Sequence, residues 1–401
     1  MSASPTDIFP NQADFDPAGD LEAFLKTVPA KWVVYLLADQ QDRPVQLLCV
    51  KNLRASLRRR LGTEDEPGVR SKRVDYRDLI RRIHWRRVDS AFEADVVYLE
   101  AARQTFPQTY RGMTGFRPAW FVHVNPQTTF PRYVKTIELH RETGIYLGPL
   151  EDKNDAQKLV HLAEGLFDLC RDYSILTQSP NAGPCAWKQM GKCVGPCDGT
   201  ISLDAYRDLV AYSARVLSDP ADHVRAHAHR MKQAAAEMRF ETAQRIKEYV
   251  EQLAQLGKGA FRHVRPLREF AYLSLQRGPR DGLAKVFLIT PGQTEEIAGM
   301  IDAPLQPAEL LRHALLLTND RTAGHVDEIG AERVGVVAHH LFLAKATHGV
   351  FIPLASIDET SIAKGYRELL KQKVERESEG EGVVKELQEI LPLPFEGRGL
   401  G

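Results

Sequence analysis

Two apolar runs rich in β-branched residues, WVVYLL from Trp32 and VQLLCV from Val45, flank the polar segment ADQQDRP, and this pattern predicts a β-hairpin. The next stretch, NLRASLRRRL, places Leu53, Leu57 and Leu61 four apart, the spacing of one helix face, with Arg54, Arg58, Arg59 and Arg60 on the others. Further on, FRPAWFVHV, FPRYVKTIEL and GIYLGPL read as strands. DAQKLVHLAEGLFDLC reads as a helix whose Leu159, Leu162, Leu166 and Leu169 form an apolar stripe. Residues 203–256 are helical with a break at Asp219-Pro220. Met231, Ala235 and Met238, then Ala243, Ile246, Val250 and Leu253, alternate steps of four and three as a packed seam would. Arg239-Phe240-Glu241 interrupts that register as a hairpin turn does. Beyond residue 258, EFAYLSL, LAKVFLIT and TEEIAGMIDA suggest a strand meander. PAELLRHALLL and EIGAERVGVVAHHLF suggest helices, GVFIPL a strand, and residues 358–370 a last helix.

With 401 residues, 43% hydrophobic content and no long uncharged apolar run, the chain is expected to be a soluble protein of several domains with no membrane contact. Residues 1–25 are expected to form a flexible arm. The opening MSASPTDIFPNQADFD lacks the basic and then apolar pattern of a secretory leader, so a cytoplasmic, reducing location is expected. Net charge is formally zero, yet Arg54 to Arg60 are followed by Arg70, Lys72, Arg73, Arg77, Arg81, Arg82, Arg86 and Arg87. Such a basic run beside a small sheet predicts a nucleic-acid surface, with Trp85 as a stacking group; the alternative is a solvated helix face. His223, His227 and His229 read as a solvated face rather than a metal site.

Four of the five cysteines fall in one stretch, with fourteen residues between Cys170 and Cys185, seven between Cys185 and Cys193, and three between Cys193 and Cys197. In a reducing compartment disulfides are disfavoured and a metal becomes the leading reading. Structural zinc sites usually pair their cysteines through two short knuckles, whereas only Cys193 and Cys197 are close here. An irregular loop with separated thiols suits an iron-sulfur cluster better; zinc stays the alternative, and buried unligated cysteine the plainest one.

Several of these segments resemble the UvrC subunit of excinuclease ABC. Val33, Val34 and Tyr35, followed by Lys51, Asn52, Leu53 and Arg54, resemble its GIY-YIG nuclease domain. Tyr35 is the one catalytic motif residue retained. Counted from these anchors, the family's YVG triplet falls on Gln46, Leu47 and Leu48, the lysine after it on Cys49, and the helix arginine on Ser56. The metal-binding glutamate falls on Tyr98, leaving Glu93, Glu100 and Arg54 as conceivable substitutes. A phosphodiester-cleaving site without its cation and metal ligand lacks its main charge stabilisation, so cleavage and its divalent metal are not expected. The order Cys170, Pro184-Cys185 and Cys193-Val194-Gly195-Pro196-Cys197 matches the family's cysteines, which implies that these four ligate a [4Fe-4S] cluster. Met231, Ala234, Ala235, Phe240, Glu241 and Ala243 resemble the UVR motif through which UvrC meets UvrB, although Gln244 and Lys247-Glu248 depart from it. The resemblance runs from about residue 30 to 258 and is faint beyond Phe287. The second incision module of the family is expected to be missing.

The fold class expected is α+β. It comprises a flexible arm (1–25), a degenerate GIY-YIG-like α/β domain (26–110), a β-rich connector (111–155) and a Cys-rich iron-sulfur region (156–215). A helical UVR hairpin (216–258), an α/β domain (259–355) and a C-terminal helix and tail (356–401) follow. The expected function is a non-cleaving factor of nucleotide excision repair that binds DNA through Lys51, Arg54, Arg58, Arg59 and Arg60. It would bind a UvrB-like protein through Met231, Ala235, Phe240 and Glu241. The alternatives are a GIY-YIG endonuclease making a single incision, and a regulator that holds a UVR-bearing partner without touching DNA.

Overall fold

The computed structural model describes residues 8–62, 76–115, 118–139, 143–183, 185–301, 306–319, 326–343 and 349–372. Two compact units divide after Gly115. Arg70, Lys72 and Arg73 of the basic run, Pro184, and the C-terminal tail lie outside the described residues.

The first unit contains β1 (Asn11–Asp14), α1 (Leu21–Thr27), β2 (Val33–Ala38), β3 (Pro44–Val50), α2 (Leu53–Leu61), β4 (Arg82–Arg87), α3 (Ala91–Thr105) and α4 (Tyr110–Met113). Its antiparallel sheet runs β1-β4-β2-β3. The predicted hairpin is β2–β3. Its turn is held by Asp39, whose carboxylate accepts the Gln41 and Arg43 amides at 2.9 Å each. Strand β2 is buried along its whole length because both faces are covered. Val33, Tyr35 and Leu37 point to α2, whose Leu53, Leu57 and Leu61 are fully buried in the same cluster. Burial of each such leucine contributes about 2 kcal/mol. The Asn52 side chain accepts the Ala55 amide and starts α2.

The expected flexible arm is not one from residue 8 onward. Strand β1 pairs with β4, Asn11 opposite Trp85, and the flanking Phe9, Phe15 and Leu25 are buried. Trp85 sits in the core and is no exposed stacking group.

The second unit begins with β5 (Trp120–Val124), β6 (Val134–Thr136) and β7 (Ile145–Leu150), then α5 (Lys153–Leu166), α6 (Tyr173–Leu176), α7 (Ala186–Gln189), α8 (Leu203–Ser218), α9 (Pro220–Ala236) and α10 (Phe240–Leu253). Strand β8 (Arg265–Pro266) completes an antiparallel sheet of order β6-β5-β7-β8. One core joins Val122 and Leu147 of this sheet, Leu159 and Ala163 of α5, Cys170 and Cys193, Tyr206 and Val210 of α8, and Leu253 of α10. The connector, the Cys-rich region and the base of the hairpin are therefore one packed body rather than three.

The remainder matches the expected element order. It comprises β9 (Tyr272–Arg277), β10 (Ala284–Thr290), β11 (Gln293–Ile301), α11 (Pro307–Asn319), α12 (Glu328–Phe342), β12 (Val350–Pro353) and α13 (Glu359–Lys371). The sheet runs β11-β10-β9-β12 with every pairing antiparallel, so this part is α+β rather than a parallel α/β layer. The last helix is no separate appendage: Ile362, Tyr366 and Leu369 enter the same core as Leu273 and Leu275. Among the described residues no helix is long and apolar enough to cross a membrane.

Candidate cysteine site and its surroundings

Helix α5 stops at Leu166 because Asp168 turns to a positive φ of 49°, which swings Leu169 and Cys170 into the core. The Cys170 amide donates to the buried Tyr206 hydroxyl of α8 at 3.2 Å. Backbone bonds then gather the other cysteines. Val194 N–H donates to Asp168 C=O at 3.0 Å, Ala182 N–H to Cys197 C=O at 3.0 Å, and Lys192 N–H to Trp187 C=O at 2.9 Å beside Cys185. Gly195 adopts a φ of 74°, where a Cβ would meet the Lys188 ammonium and the Asp198 carboxylate, so the Cys193–Cys197 loop closes only around glycine. Its amide donates to Cys193 Sγ at 3.5 Å.

Cys170, Cys193 and Cys197 are buried, and Cys185 is half-buried. The Cys170 thiol donates to Asp172 C=O at 3.3 Å, and the nearness of the Cys170 and Cys193 thiols depresses Cys193 and raises Cys170. Cys197 lies within electrostatic reach of Cys170, Cys193 and Cys185. Among the described residues, no three His, Cys, Asp or Glu side chains already stand at metal-ligating positions. The arrangement is thus a mutually perturbed pair, Cys170 and Cys193, with two further thiols nearby. Its donors are all sulfur, its floor is apolar, and an amide is aimed at one sulfur, as groups that hold soft metal centres are. The three histidines take no part: the His227 ring packs 4.8 Å from Tyr249, and His223 packs 5.8 Å from Tyr212. His223 and His227 are half-buried against these rings where a solvated face was expected, and His229 is exposed.

Glu164, on α5 behind this loop, has its carboxyl pushed up from 4.5 to about 7 by burial, against the opposite pull of Arg171. An acid with a raised folded-state pKa favours the folded state below its unfolded value and loses that advantage as pH rises through the folded one. The window here is pH 4.5 to about 7. Glu164→Gln is therefore expected to leave stability unchanged near the lower limit and to raise it by about 1 kcal/mol at pH 8, discounted for partial exposure; denaturant melts at the two pH values check this.

In the first unit the Tyr35 hydroxyl is buried and shares a 2.9 Å hydrogen bond with Ser56. Burial raises its pKa, against the pull of Ser56 and of Arg60. Arg60, one turn beyond Ser56, donates to Gln46 at 3.1 Å. Cys49 and Tyr98 stand together on the opposite face of the sheet, where burial pushes the thiol to about 11 and the phenol to about 12. The candidate substitutes do not converge with Tyr35. Glu93 is buried as part of the α3 cap, its carboxylate accepting the Asp89 amide at 2.9 Å, and Glu100 pairs with Arg103. Much of the basic charge is likewise committed within the unit. Arg54 donates to Val28 C=O, Arg58 is bidentate to Glu22 at 2.8 and 2.7 Å, Arg77 binds Pro17 and Leu61 carbonyls, and Arg82 pairs with Asp14. Lys51 lies 5.7 Å from the Trp32 ring, and Arg59 is exposed.

Helices α9 and α10 form the expected hairpin, but the turn comes earlier, at Glu237–Arg239, with Met238 at a φ of 55°. Ala234 rather than Ala235 faces Ala243 across the buried seam, while Met231 is half-buried and Ala235 and Glu241 are exposed. The tip leaves Met238 78% and Phe240 67% exposed. Reading the sequence alone misses Tyr206 and Arg171 of the cysteine surroundings. An isolated tyrosine on an amphipathic helix carries no signal beyond core packing, and Arg171 is set only by its stack on Trp187.

Residues 119–216, spanning β5 to most of α8 and all four clustered cysteines, match the family model of the UvrC/Cho excinuclease middle domain. Similar proteins include the UvrABC system protein C of Syntrophomonas wolfei, 25% identical over 68% of this chain and 45% of that protein. Those of Moorella thermoacetica (24%, over 57% and 37%) and Clostridium botulinum (22%, over 68% and 44%) are also similar. Residues 119–216 are thus similar to the UvrC/Cho middle domain, and between 57% and 68% of the chain is similar to UvrC proteins. Its match spans less than half the length of these curated relatives. No solved structure matches it.

Proposed function

We propose that this chain is a nucleotide excision repair factor that binds DNA and a UvrB-like protein without cutting DNA in its first unit, and that Cys170, Cys185, Cys193 and Cys197 hold a [4Fe-4S] cluster. The observation that carries the reading is the gathering of four separated thiols around one loop inside the segment matched by the UvrC middle domain. Bound there, a cluster would supply the covalent cross-link that an irregular segment lacks, with zinc as the alternative occupant. The hairpin supports partner docking because its base is anchored in the core and its apolar tip is exposed. The non-cleaving part rests on the buried Tyr35–Ser56 pair, on Glu93 serving as a cap, and on Tyr98 standing across the sheet.

A second reading, a single-incision nuclease, draws on Arg60, whose charge reaches the Tyr35 hydroxyl from one turn further along α2 than the family's arginine. A nicking assay on lesion-bearing duplex with magnesium or manganese, together with the UvrA and UvrB proteins, separates the two. No incision above background is expected, and Tyr35→Phe should change nothing. Robust incision abolished by Tyr35→Phe or Arg60→Ala would establish the nuclease.

A further inference from the structure

Arg54, Arg58 and Arg60 of α2 donate to groups of their own unit; beside the cysteine loop Lys188 donates to Val194 C=O at 3.4 Å, whereas Arg132, Arg171 and Lys192 do not donate to any described group. Arg132, just before β6, lies over the Tyr173 ring at 3.8 Å, and Arg171, next to Cys170, lies over the Trp187 ring at 4.2 Å. Tyr173 and Arg171 belong to one short segment, and Trp187 leads into Lys188 and, across a turn, Lys192. Both stacks therefore stand on rings of the cysteine-bearing segment, which also carries the two lysines. Among the described residues the side chains of Arg132, Arg171 and Lys192 carry no hydrogen bond and no ion pair, and Arg171 Nε is buried without a partner. The acids nearby are otherwise engaged. Asp172 accepts from Ser174 and Ile175, Asp198 accepts from Thr200 and lies beside Lys188, and Glu164 has its charge disfavoured by burial.

A guanidinium laid on an aromatic ring loses freedom about its stem while its in-plane N–H groups stay available, which prepares it for bidentate contact with phosphate oxygens. The stacked guanidinium also covers the face of the ring that a base would otherwise use, so the backbone rather than the bases is the ligand. We propose that Arg132, Arg171, Lys188 and Lys192 form a phosphate-binding face for DNA beside the cysteine loop, and that this face contributes more to duplex binding than α2 does. The inference rests on the reading of the chain as a DNA-binding factor and names the surface.

The test uses the full chain, purified anaerobically, and the anisotropy of a fluorescein-labelled DNA duplex from about 50 to about 200 mM salt. Arg132 and Lys192 are exposed, so the double variant Arg132→Glu/Lys192→Glu should keep the wild-type melting temperature and metal content. It should bind at least about tenfold more weakly, with a log–log salt slope shallower by about 2. The milder Arg132→Gln should lose about 1 from the slope, which keeps the test available if the double variant folds poorly. Arg58→Glu should have the smaller effect. Unchanged affinity and slope in the double variant, with Arg58→Glu weakened, would overturn this inference alone. A wild-type chain that does not bind duplex would remove the DNA-binding reading and this inference together.

Discussion

Cys197→Ala is expected to leave the protein colourless and nearly free of iron. Cys197 is fully buried, its carbonyl accepts the Ala182 amide, and its thiol lies within electrostatic reach of the other three, so no side chain in the loop can replace it. Among its described residues, the segment from Cys170 to Gly199 contains two four-residue helices and otherwise irregular backbone, and it contributes few large apolar side chains to the core. Loss of the cross-link should therefore open this segment before the rest of the unit, and limited proteolysis should cut within it many times faster than in wild type. Cys49→Ala serves as the control. That thiol belongs to the first unit, receives the Trp32 indole N–H at 3.3 Å, and is held protonated by burial, so its removal should leave iron content unchanged.

Phe240→Ala is expected to weaken association with a UvrB-type partner by about 2 kcal/mol or more, roughly thirtyfold, because an exposed aromatic at the end of a rigid hairpin has the character of an interface anchor. Its own fold hardly uses the ring. At 67% exposed, Phe240 contributes little to the seam, which Ala234, Ala243 and Leu253 close. Stability should accordingly change by no more than about 0.5 kcal/mol, which distinguishes a docking role from a structural one. Calorimetric titration beside a thermal melt reads both quantities. An unchanged affinity would assign the tip to another role.

The period of the apolar residues was enough to read β2, β3, α2 and the run of elements from β9 onward, because each buries a regular face; it did not show β8. It was not enough for β1, where Asn11-Gln12-Ala13-Asp14 is polar and its place in the sheet comes from backbone pairing with β4; the buried Phe9 and Phe15 on either side were the available signal. The hairpin turn carries no glycine. A methionine in the left-handed region gives no sequence cue, so the turn falls earlier than the pattern suggests, and the choice between the adjacent Ala234 and Ala235 is made by packing alone. The cysteines were legible as a group, but Tyr206, which anchors Cys170 from thirty-six residues away, was not. The basic run misleads for the same reason. The groups that engage it, the Glu22 and Asp14 carboxylates and the Val28 and Pro17 carbonyls, are distant in sequence, whereas the guanidinium groups of Arg132 and Arg171 lie where no run of like charge marks them.

The account turns on what the four thiols hold. Iron, acid-labile sulfide and zinc, measured per chain on anaerobically purified wild-type protein, decide it. About four irons and four sulfides, with a brown colour lost on exposure to air, is the predicted result. One zinc per chain, no sulfide and a colourless protein would contradict it.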